Sequence, residues 1–309
     1  MLITGGAGFL GKHVVDEVRI RGGGEGGGEI IIPRSYDFDL RDRQVCRDLV
    51  QGIDVVIHLA ANVGGIGYNL QHPAELFLDN LLMGALLMDE SRSAGVAKFV
   101  GIGTICSYPK HTTVPFKETT LWEGYPEESN APYGLAKKML LVQGQSYREQ
   151  YGFNSIYLLP TNLYGPGDNF QRESSHVIPA LIRKVIEAAD AGEMEVQVWG
   201  SGSATRDFLY VEDAAKAIVD ATEIYEAAEP LNLGSGSEIS IMQLADTIVE
   251  LCGYEGSLTW DRSRPDGQPR RSVDAAAAER AFGFLAPTNF RDGLAKTIDW
   301  YRIHQGDID

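Results

Sequence analysis

The first half of the chain alternates short apolar runs with longer amphipathic segments, up to about residue 160. The runs, rich in β-branched residues, are MLIT, EIIIP, DVVIHLA, AKFVGIG and NSIYLLP. Because parallel strands need crossover connections, this alternation predicts an α/β fold with a doubly wound parallel sheet and helices on both faces. Ligands of such sheets bind beyond the carboxyl ends of the strands.

The alternation loosens after Gly165, which indicates a change of architecture. The later pattern predicts short strands near VQVWG and LNLGS, a last helix toward Trp300, and further helices at roughly 175–190, 211–225 and 241–252. We interpret this part as a smaller C-terminal substrate-binding lobe. The predicted domains are therefore a nucleotide-binding domain, 1–165, and a lobe, 166–309, with a segment at about 205–235 returning to the first domain.

Composition narrows the class of partner. The chain has 309 residues with 27 basic and 43 acidic side chains, and this charge of −16 repels nucleic acid and anionic membranes. No apolar run approaches the ~18 residues of a membrane span and no charged leader precedes the first strand, so we expect a soluble, cytoplasmic protein. Three scattered cysteines, without CxxC or histidines at metal spacing, predict neither a disulfide framework nor a metal site. A small molecule is the expected partner.

The sequence TGGAGFLG lies between the first strand and the first helix. Its glycines allow a tight turn, close approach of the backbone to a pyrophosphate, and close packing of helix on strand. The start of the helix would then face the phosphate charge. In this context the pattern predicts a Rossmann-type dinucleotide-binding site. Its predicted contacts are Gly5, Gly8, Phe9, Leu10 and Gly11.

The end of the second predicted strand bears on the choice between NADP(H) and NAD(H). An acidic residue there usually binds the ribose hydroxyls of NAD, whereas basic neighbours suit a 2′-phosphate. The strand ends in IPRS, so the sequence favours NADP(H), with Arg34 and Lys12 near the phosphate. NAD stays the alternative if a loop brings Asp37 back to the ribose hydroxyls. Asp39 and Leu40 are candidate adenine contacts.

A YxxxK pattern, Tyr133 to Lys137, follows SNAP, which predicts a helix start with a cap and an early proline. Residues four apart share one helical face. An ammonium at that spacing can lower the phenol pKa, so that the tyrosine transfers a proton near neutral pH. Downstream of a nucleotide-binding turn, the pair predicts a catalytic Tyr and Lys.

With both motifs in place, the chain resembles the short-chain dehydrogenase/reductase superfamily in its extended, sugar-nucleotide-modifying form. In that superfamily a Ser or Thr after the fourth strand completes a triad with the Tyr and Lys, and Thr104 of GTICSYPK occupies the matching position. The resemblance implies further cofactor contacts after the strands and in the triad. These are Leu59, Ala60, Ala61, Tyr133, Lys137, Pro160, Asn162, Leu163 and His176.

Two residues after Thr104 separate the chain from most of that superfamily. Sugar-nucleotide 4,6-dehydratases commonly carry an Asp-Glu pair there, and this chain has Ile105 and Cys106. The motifs GTICSYPK, NVGG, PTNLYGPGDNF, SSHVIPALIRK, VWGSG and PDGQPR resemble the GDP-L-fucose synthase family. The family's acid/base pair would be Cys106 and His176 here. Taken singly, a packing cysteine and a capping histidine are the commoner readings, but both groups exchange protons near pH 7.

The resemblance also implies a GDP-sugar site in the C-terminal lobe. Arg206 is the best candidate for a pyrophosphate contact, because a guanidinium fork matches phosphate oxygens. The implied substrate-binding residues are Asn162, Asn169, Lys184, Trp199, Arg206, Asp266 and Arg270.

The implied activity is NADPH-dependent 3,5-epimerisation and 4-keto reduction of GDP-4-keto-6-deoxy-D-mannose to GDP-L-fucose. The alternatives are a 4-ketoreductase or 3,5-epimerase acting on another GDP- or dTDP-linked sugar, and, from another class, a non-catalytic NADP-binding sensor. The helices expected around 74–93 and 132–150 carry apolar faces, and the extended family often dimerises through this pair. A homodimer is therefore expected, although both faces could instead cover the sheet.

Overall fold

The computed structural model describes residues 1–22, 28–172, 174–263 and 267–307. Its strands are β1 (Leu2–Thr4), β2 (Val55–His58), β3 (Lys98–Ile102), β4 (Ser155–Pro160), β5 (Asn162–Tyr164), β6 (Glu195–Trp199), β7 (Thr205–Tyr210), β8 (Leu231–Leu233), β9 (Glu238–Ser240), β10 (Ser257–Asp261) and β11 (Arg270–Arg271). Its α-helices are α1 (Phe9–Arg21), α2 (Arg43–Leu49), α3 (Ile66–Gln71), α4 (Pro73–Ser93), α5 (Ala131–Tyr151), α6 (Val177–Ala191), α7 (Val211–Ile224), α8 (Ile241–Cys252), α9 (Ala276–Phe282) and α10 (Phe290–His304). Short 3₁₀ turns cover Ile105–Ser107, Glu118–Thr120 and Gln305–Asp307.

The main sheet is parallel throughout and runs in the order β1, β2, β3, β4, β8. Strands β1, β3 and β4 are buried along their whole length, which explains why their sequences are continuous apolar runs. Helices α2, α4 and α5 cover one face, with Leu87 and Leu140 in the core, and α1 and α7 cover the other, with Val14 and Ile218. The predicted doubly wound α/β fold is confirmed.

The run EIIIP, predicted as the second strand, forms only a single bridge beside β1. Ile31 pairs with Leu2, donating its amide hydrogen to the carbonyl of Met1 and accepting one from Ile3. Pro33 then ends the run and has no amide hydrogen to extend a ladder. The segment still lies where a strand was expected, on the side of β1 opposite β2, so the reversal of strand order occurs at β1.

The C-terminal part of the chain builds its own core. Strands β5, β7, β9 and β11 form one small sheet, and β6 pairs with β10 in another. Ile182, Leu244 and Leu294, from α6, α8 and α10, pack in a shared apolar cluster. Helix α8 spans the predicted range, and it starts at a capping box formed by Ser240 and Gln243 and ends at its C-cap, Gly253. A domain boundary at residue 165 stays a prediction.

Within the described ranges, no helix is both long and apolar enough to cross a lipid bilayer.

Candidate active site

The turn between β1 and α1 has the shape that its glycines predict. Gly5 has φ +72°, and a Cβ there would lie 2.7 Å from the amide nitrogen of Ala60. A Cβ on Gly11 would collide with the carbonyl oxygen of Gly5, so helix and turn touch through backbone alone. Gly8 caps α1 without a side-chain bond, which leaves the first-turn amides of Phe9 and Leu10 free of capping side chains. These donors and the helix dipole suit a pyrophosphate.

The segment after Ile31 carries the residues predicted to bind the adenosine half of the cofactor. Arg34 is exposed, and its guanidinium lies 5.7 Å from the ring centroid of Tyr36. The carboxylate of Asp39 is bonded by Arg41, which lowers the pKa of Asp39. Arg41 also pairs with Asp79 at 3.0 Å. The Asp39 carboxylate is thus engaged by an arginine that the sequence analysis missed.

Leu40, the other predicted adenine contact, is buried, and its carbonyl accepts a hydrogen bond from the Cys46 thiol. Leu59, Ala60 and Ala61 follow β2 directly and are half-buried. The amide of Leu59 donates to the carbonyl of Thr4, which aligns this segment with the glycine turn.

The chain leaves β3 in a tight turn that carries Thr104 and Cys106. The Thr104 hydroxyl accepts the Cys106 amide hydrogen at 3.2 Å and caps the 3₁₀ turn. The Ser107 hydroxyl donates to the carbonyl of Gly134 at 2.9 Å, which joins the turn to the first turn of α5. A Cβ on Gly134 would collide with the Cys106 carbonyl oxygen and lie 2.8 Å from its carbon. The two turns therefore pack backbone to backbone.

Helix α5 begins at Ala131 with Pro132 in its first turn, as predicted. The predicted side-chain cap is absent: Asn130 occupies the cap position but bonds Glu127 and Asn69 instead. The helix start is held by these loop contacts and by the packing of Gly134.

Tyr133 and Lys137 are both buried, with 9% and 2% of their surfaces exposed. Burial, and to a smaller extent the neighbouring Cys106, raises the pKa of Tyr133. Burial also lowers the pKa of Lys137 to about 8. The pKa of Tyr133 therefore moves opposite to the expected direction in this state, because desolvation of the phenolate dominates. The phenol stays protonated at neutral pH.

Two further side chains lie near Lys137, and neither was predicted from the sequence. The Tyr157 hydroxyl donates to the Lys137 carbonyl at 2.7 Å. His58, fully buried at the end of β2, lies with Nδ1 2.8 Å from the Thr4 hydroxyl. Burial and then the Lys137 charge lower the pKa of His58, so its ring is neutral. The sequence signal that could have identified His58 is its position as a polar residue within the apolar run DVVIHLA.

His176 precedes α6 and takes the N-cap position through its carbonyl, which accepts from Ala180. Its ring forms no capping bond, so the capping role expected of a lone histidine does not apply. His176 is exposed to solvent, and partial desolvation by the surrounding protein atoms lowers its pKa. The amide of Gly65 donates to Ser174 at 3.2 Å and holds this loop beside the loop after β2.

The contacts join Thr104, Cys106 and Tyr133 at the end of β3. Among the described residues, no hydrogen bond joins Cys106 to His176, which belong to different elements. No group of three or more His, Cys, Asp or Glu side chains within the described ranges could hold a metal ion.

Pro160 and Asn162 flank the step from β4 to β5. Pro160 is buried at the end of β4. The side-chain amide of Asn162 donates to the Asp207 carbonyl at 2.8 Å. Leu163 is half-buried in β5. Asn169 donates to the Ser174 hydroxyl at 2.8 Å, which ties it to the loop before His176.

The remaining predicted substrate contacts lie in the C-terminal part. Lys184 bonds the Gln197 carbonyl and lies 5.6 Å from the ring centroid of Trp199, which is 61% exposed. Arg206 donates to the Gln268 carbonyl at 2.7 Å. Arg270 is exposed and paired with Glu238 at 2.6 Å. Asp266 lies outside the described residues.

Arg271, next to Arg270, was not selected from the sequence. Its Nη1 lies 3.6 Å from the Cys106 sulfur. Adjacent residues of a strand point to opposite faces of the sheet, so Arg270 and Arg271 point in opposite directions. Which of the two arginines points toward Cys106 depends on the register of β11 against β7, and the sequence alone does not determine that register.

Comparison with known proteins supplies the family. Residues 1–234 match the NAD dependent epimerase/dehydratase family. GDP-L-fucose synthase 1 of Arabidopsis thaliana is 38% identical over 303 residues, 97% of this chain and 92% of that protein. GDP-L-fucose synthase of Escherichia coli (strain K12) is 34% identical over 316 residues, 99% of this chain and 97% of that protein.

A solved structure agrees with these relatives. The GDP-L-fucose synthetase of Naegleria fowleri bound to NADP is 32% identical and superposes with a TM-score of 0.89, covering 99% of this chain and 93% of that one. The resemblance found in the motifs is confirmed. The chain belongs to the NAD dependent epimerase/dehydratase family and, within it, to the GDP-L-fucose synthase family.

Proposed function

We propose that this protein converts GDP-4-keto-6-deoxy-D-mannose to GDP-L-fucose by 3,5-epimerisation and NADPH-dependent reduction of the C4 ketone. The observation that carries the proposal is the packing of the Thr104–Cys106 turn on the start of α5, which places a thiol beside the buried Tyr133. Identity of 38% to a GDP-L-fucose synthase over 97% of the chain supports the same chemistry.

The glycine turn fits the pyrophosphate of a dinucleotide, because Gly8 caps α1 without a side chain and leaves the first-turn amides of that helix available to an anion. We assign cofactor contacts to this turn, to Arg34, Asp39 and Leu40, and to the segments after β2 and β4. The exposed Arg34 suits a 2′-phosphate, and the fold neighbour from Naegleria fowleri binds NADP. NADPH, when bound, supplies the hydride for the reduction.

Epimerisation uses the acidity of carbons next to a ketone. Thr104 and Tyr133 donate hydrogen bonds to the C4 oxygen, which stabilises the negative charge that develops there. Cys106 removes the proton from C3 and from C5, and His176 returns a proton from the opposite face. Desolvation lowers the pKa of His176, which makes its imidazolium a stronger acid.

Reduction uses the same contacts on the C4 oxygen. Tyr133 supplies the proton to that oxygen, and its raised pKa keeps the phenol protonated until charge develops on the substrate. Lys137, two per cent exposed and with its pKa lowered to about 8, then restores the Tyr133 proton and holds the nicotinamide ribose.

The sugar nucleotide lies toward the C-terminal lobe, 166–309, in this proposal. Asn162 and Asn169 contact the sugar or its phosphate, Lys184 and Trp199 bind the nucleotide end, and Arg206 bonds the pyrophosphate. The exposed ring of Trp199 beside a lysine suits a flat base. Arg270 would exchange its Glu238 partner for substrate, and Asp266 completes the predicted set.

The test is to incubate the purified protein with GDP-4-keto-6-deoxy-D-mannose and NADPH in deuterated buffer. We expect oxidation of NADPH, followed by absorbance, and a GDP-L-fucose product with deuterium at C3 and C5 by mass spectrometry. Cys106→Ser should suppress the deuterium uptake, and Cys252→Ser, a half-buried thiol at the end of α8, should not. Deuterium uptake without NADPH oxidation would indicate an epimerase alone. Absence of both deuterium uptake and NADPH oxidation would show that the substrate is wrong.

We also propose a homodimer formed through α4 and α5. Their surfaces leave Phe77, Leu78 and Val142 exposed by 39%, 53% and 40%, which suits a helix-packed interface. Light scattering should give twice the mass of one chain, and a monomeric mass would contradict the interface.

A cytoplasmic location is proposed on separate grounds. All three cysteines are free, as is usual in a reducing compartment. Fractionation of cells should recover the protein with the soluble contents, and recovery with membranes or the medium would contradict this location.

A further inference from the structure

Arg271 reaches the Cys106 thiol from a strand 165 residues further along the chain. Its Nη1 lies 3.6 Å from the sulfur. Strand β11 places it there by pairing with β7, with Arg271 opposite Arg206. The next residue, Ser272, accepts the Phe116 amide hydrogen at 2.8 Å. The backbone that carries Arg271 is therefore hydrogen-bonded to β7 on one side and to Phe116 on the other.

The guanidinium is also oriented by its own contacts. Nε of Arg271 donates to the Gln268 side-chain oxygen at 3.2 Å, and the Gln268 amide donates to the Lys110 carbonyl at 3.0 Å. The Gln268 carbonyl accepts from Arg206 at 2.7 Å. Because Gln268 holds both arginines, the group that faces Cys106 is linked to the predicted pyrophosphate contact.

Ionisable groups face this pair from two other elements. Tyr133, on α5, is close enough to Cys106 for the thiol to raise its pKa, though less than burial does. Glu127 lies in the loop before α5; burial opposes ionisation of its carboxyl, yet hydrogen bonds from Ser129 and Asn130, with the Arg271 charge, lower its pKa. The arginine is thus the cation of a small cluster that contains a carboxylate, a neutral phenol and the thiol.

We propose that Arg271 is a positioning residue that holds the Cys106 sulfur as a thiolate, ready to accept a proton from the sugar. This rests on the proposed function, in which a C–H bond beside the ketone breaks, an S–H bond forms, and the electron pair moves to the C4 oxygen. An ordinary cysteine is only about 3% thiolate at pH 7. A guanidinium donating to sulfur stabilises the anion selectively, since a charged acceptor forms the stronger hydrogen bond.

The test measures Cys106 directly, without substrate. The rate of iodoacetamide alkylation of the Cys106 peptide is followed by mass spectrometry from pH 6 to 10. Burial raises the pKa of Cys46 to about 12 and of Cys252 to about 11, and their peptides are read separately. Arg271→Gln should move the Cys106 midpoint up by about one pH unit, a tenfold loss of thiolate at pH 7.

Two variants serve as controls. Arg271→Lys keeps the charge but loses the guanidinium contacts, so it should raise the midpoint by less than Arg271→Gln does. Arg280→Gln removes an exposed arginine from α9 and should leave the midpoint unchanged. If Arg271→Gln does not fold by circular dichroism, Gln268→Ala replaces it; that variant releases the guanidinium and should also raise the midpoint. An unchanged midpoint in the folded variant overturns the proposal.

A second readout separates this proposal from the proposed function. In deuterated buffer at pH 7, Arg271→Gln should lower deuterium uptake into the GDP-sugar about tenfold, with recovery of the rate at higher pH. A raised KM for the sugar with an unchanged alkylation midpoint would overturn the thiolate role and make Arg271 a substrate contact. If the parent protein takes up no deuterium, the proposed function fails, while the alkylation result still decides whether Arg271 stabilises the thiolate.

Discussion

The backbone contact between Gly134 and the turn after β3 can be tested by adding one carbon. In Gly134→Ala, the Cβ would lie 2.8 Å from the Cys106 carbonyl carbon and 3.2 Å from the Ser107 nitrogen, where ordinary contact begins at 3.4 Å. Both neighbours are backbone, so neither can rotate away. The turn must therefore move by at least about 0.6 Å relative to α5, which shifts Cys106 and Thr104 away from Tyr133.

The expected effect on activity is larger than the effect on stability. Overpacking costs about 1–3 kcal/mol, while replacing a helical glycine with alanine regains about 1 kcal/mol. The net loss in the free energy of unfolding is then roughly 0–2 kcal/mol. A displacement approaching 1 Å between reacting groups can lower a rate by about 10²-fold, so we expect a 30–100-fold loss in turnover.

The assay combines NADPH oxidation and deuterium uptake with urea unfolding followed by circular dichroism. Gly144→Ala is the matched control on α5: its Cβ would meet the Ser155 hydroxyl at 2.6 Å, a side chain that can turn away. This control should keep full turnover with at most about 1–2 kcal/mol of lost stability. Gly134→Ala with turnover within threefold of the parent protein would refute the reasoning.

Three further predictions follow from the site. Tyr133→Phe should lower NADPH oxidation by about 10²–10⁴-fold, because the ketone loses its proton donor, while Thr104 sustains some deuterium exchange; equal losses in both assays would contradict the separate roles. Lys137→Met should raise the free energy of unfolding at pH 7 by up to roughly 3 kcal/mol, since burial lowers the Lys137 pKa from 10.5 to about 8. The unfolded chain binds more protons between these two values, so the parent protein gains stability as pH rises from 8 to 10.5 and the advantage of the variant should fade; urea unfolding at pH 7 and 10 checks this sign. Arg34→Gln should raise the KM for NADPH about tenfold and change that for NADH less than twofold, and equal changes in steady-state kinetics would remove Arg34 from the 2′-phosphate site.

The structural elements that depend on local sequence pattern could be predicted from the sequence. Continuous apolar runs, the glycine turn and the spacing of Tyr133 and Lys137 each encode backbone geometry within a few residues, so strands, helices and the doubly wound sheet were predictable. The apolar pattern likewise predicted the range of α8, whose start is stabilised by a capping box of Ser240 and Gln243. The run EIIIP was the exception, since a strand also needs a partner ladder, and this one stops after Ile31.

Tertiary structure decided what depends on distant partners. Arg271 meets Cys106 only because β11 pairs with β7 in one register, and Arg41 engages Asp39 while also pairing with Asp79 of α4. The pKa of Tyr133 moves opposite to the direction that its spacing from Lys137 suggested, because burial raises the pKa of the phenol. Residue types and short spacings determine which chemistry a chain can perform; burial and long-range pairing determine which groups are charged when it does so, because both arise only after the chain has closed around them.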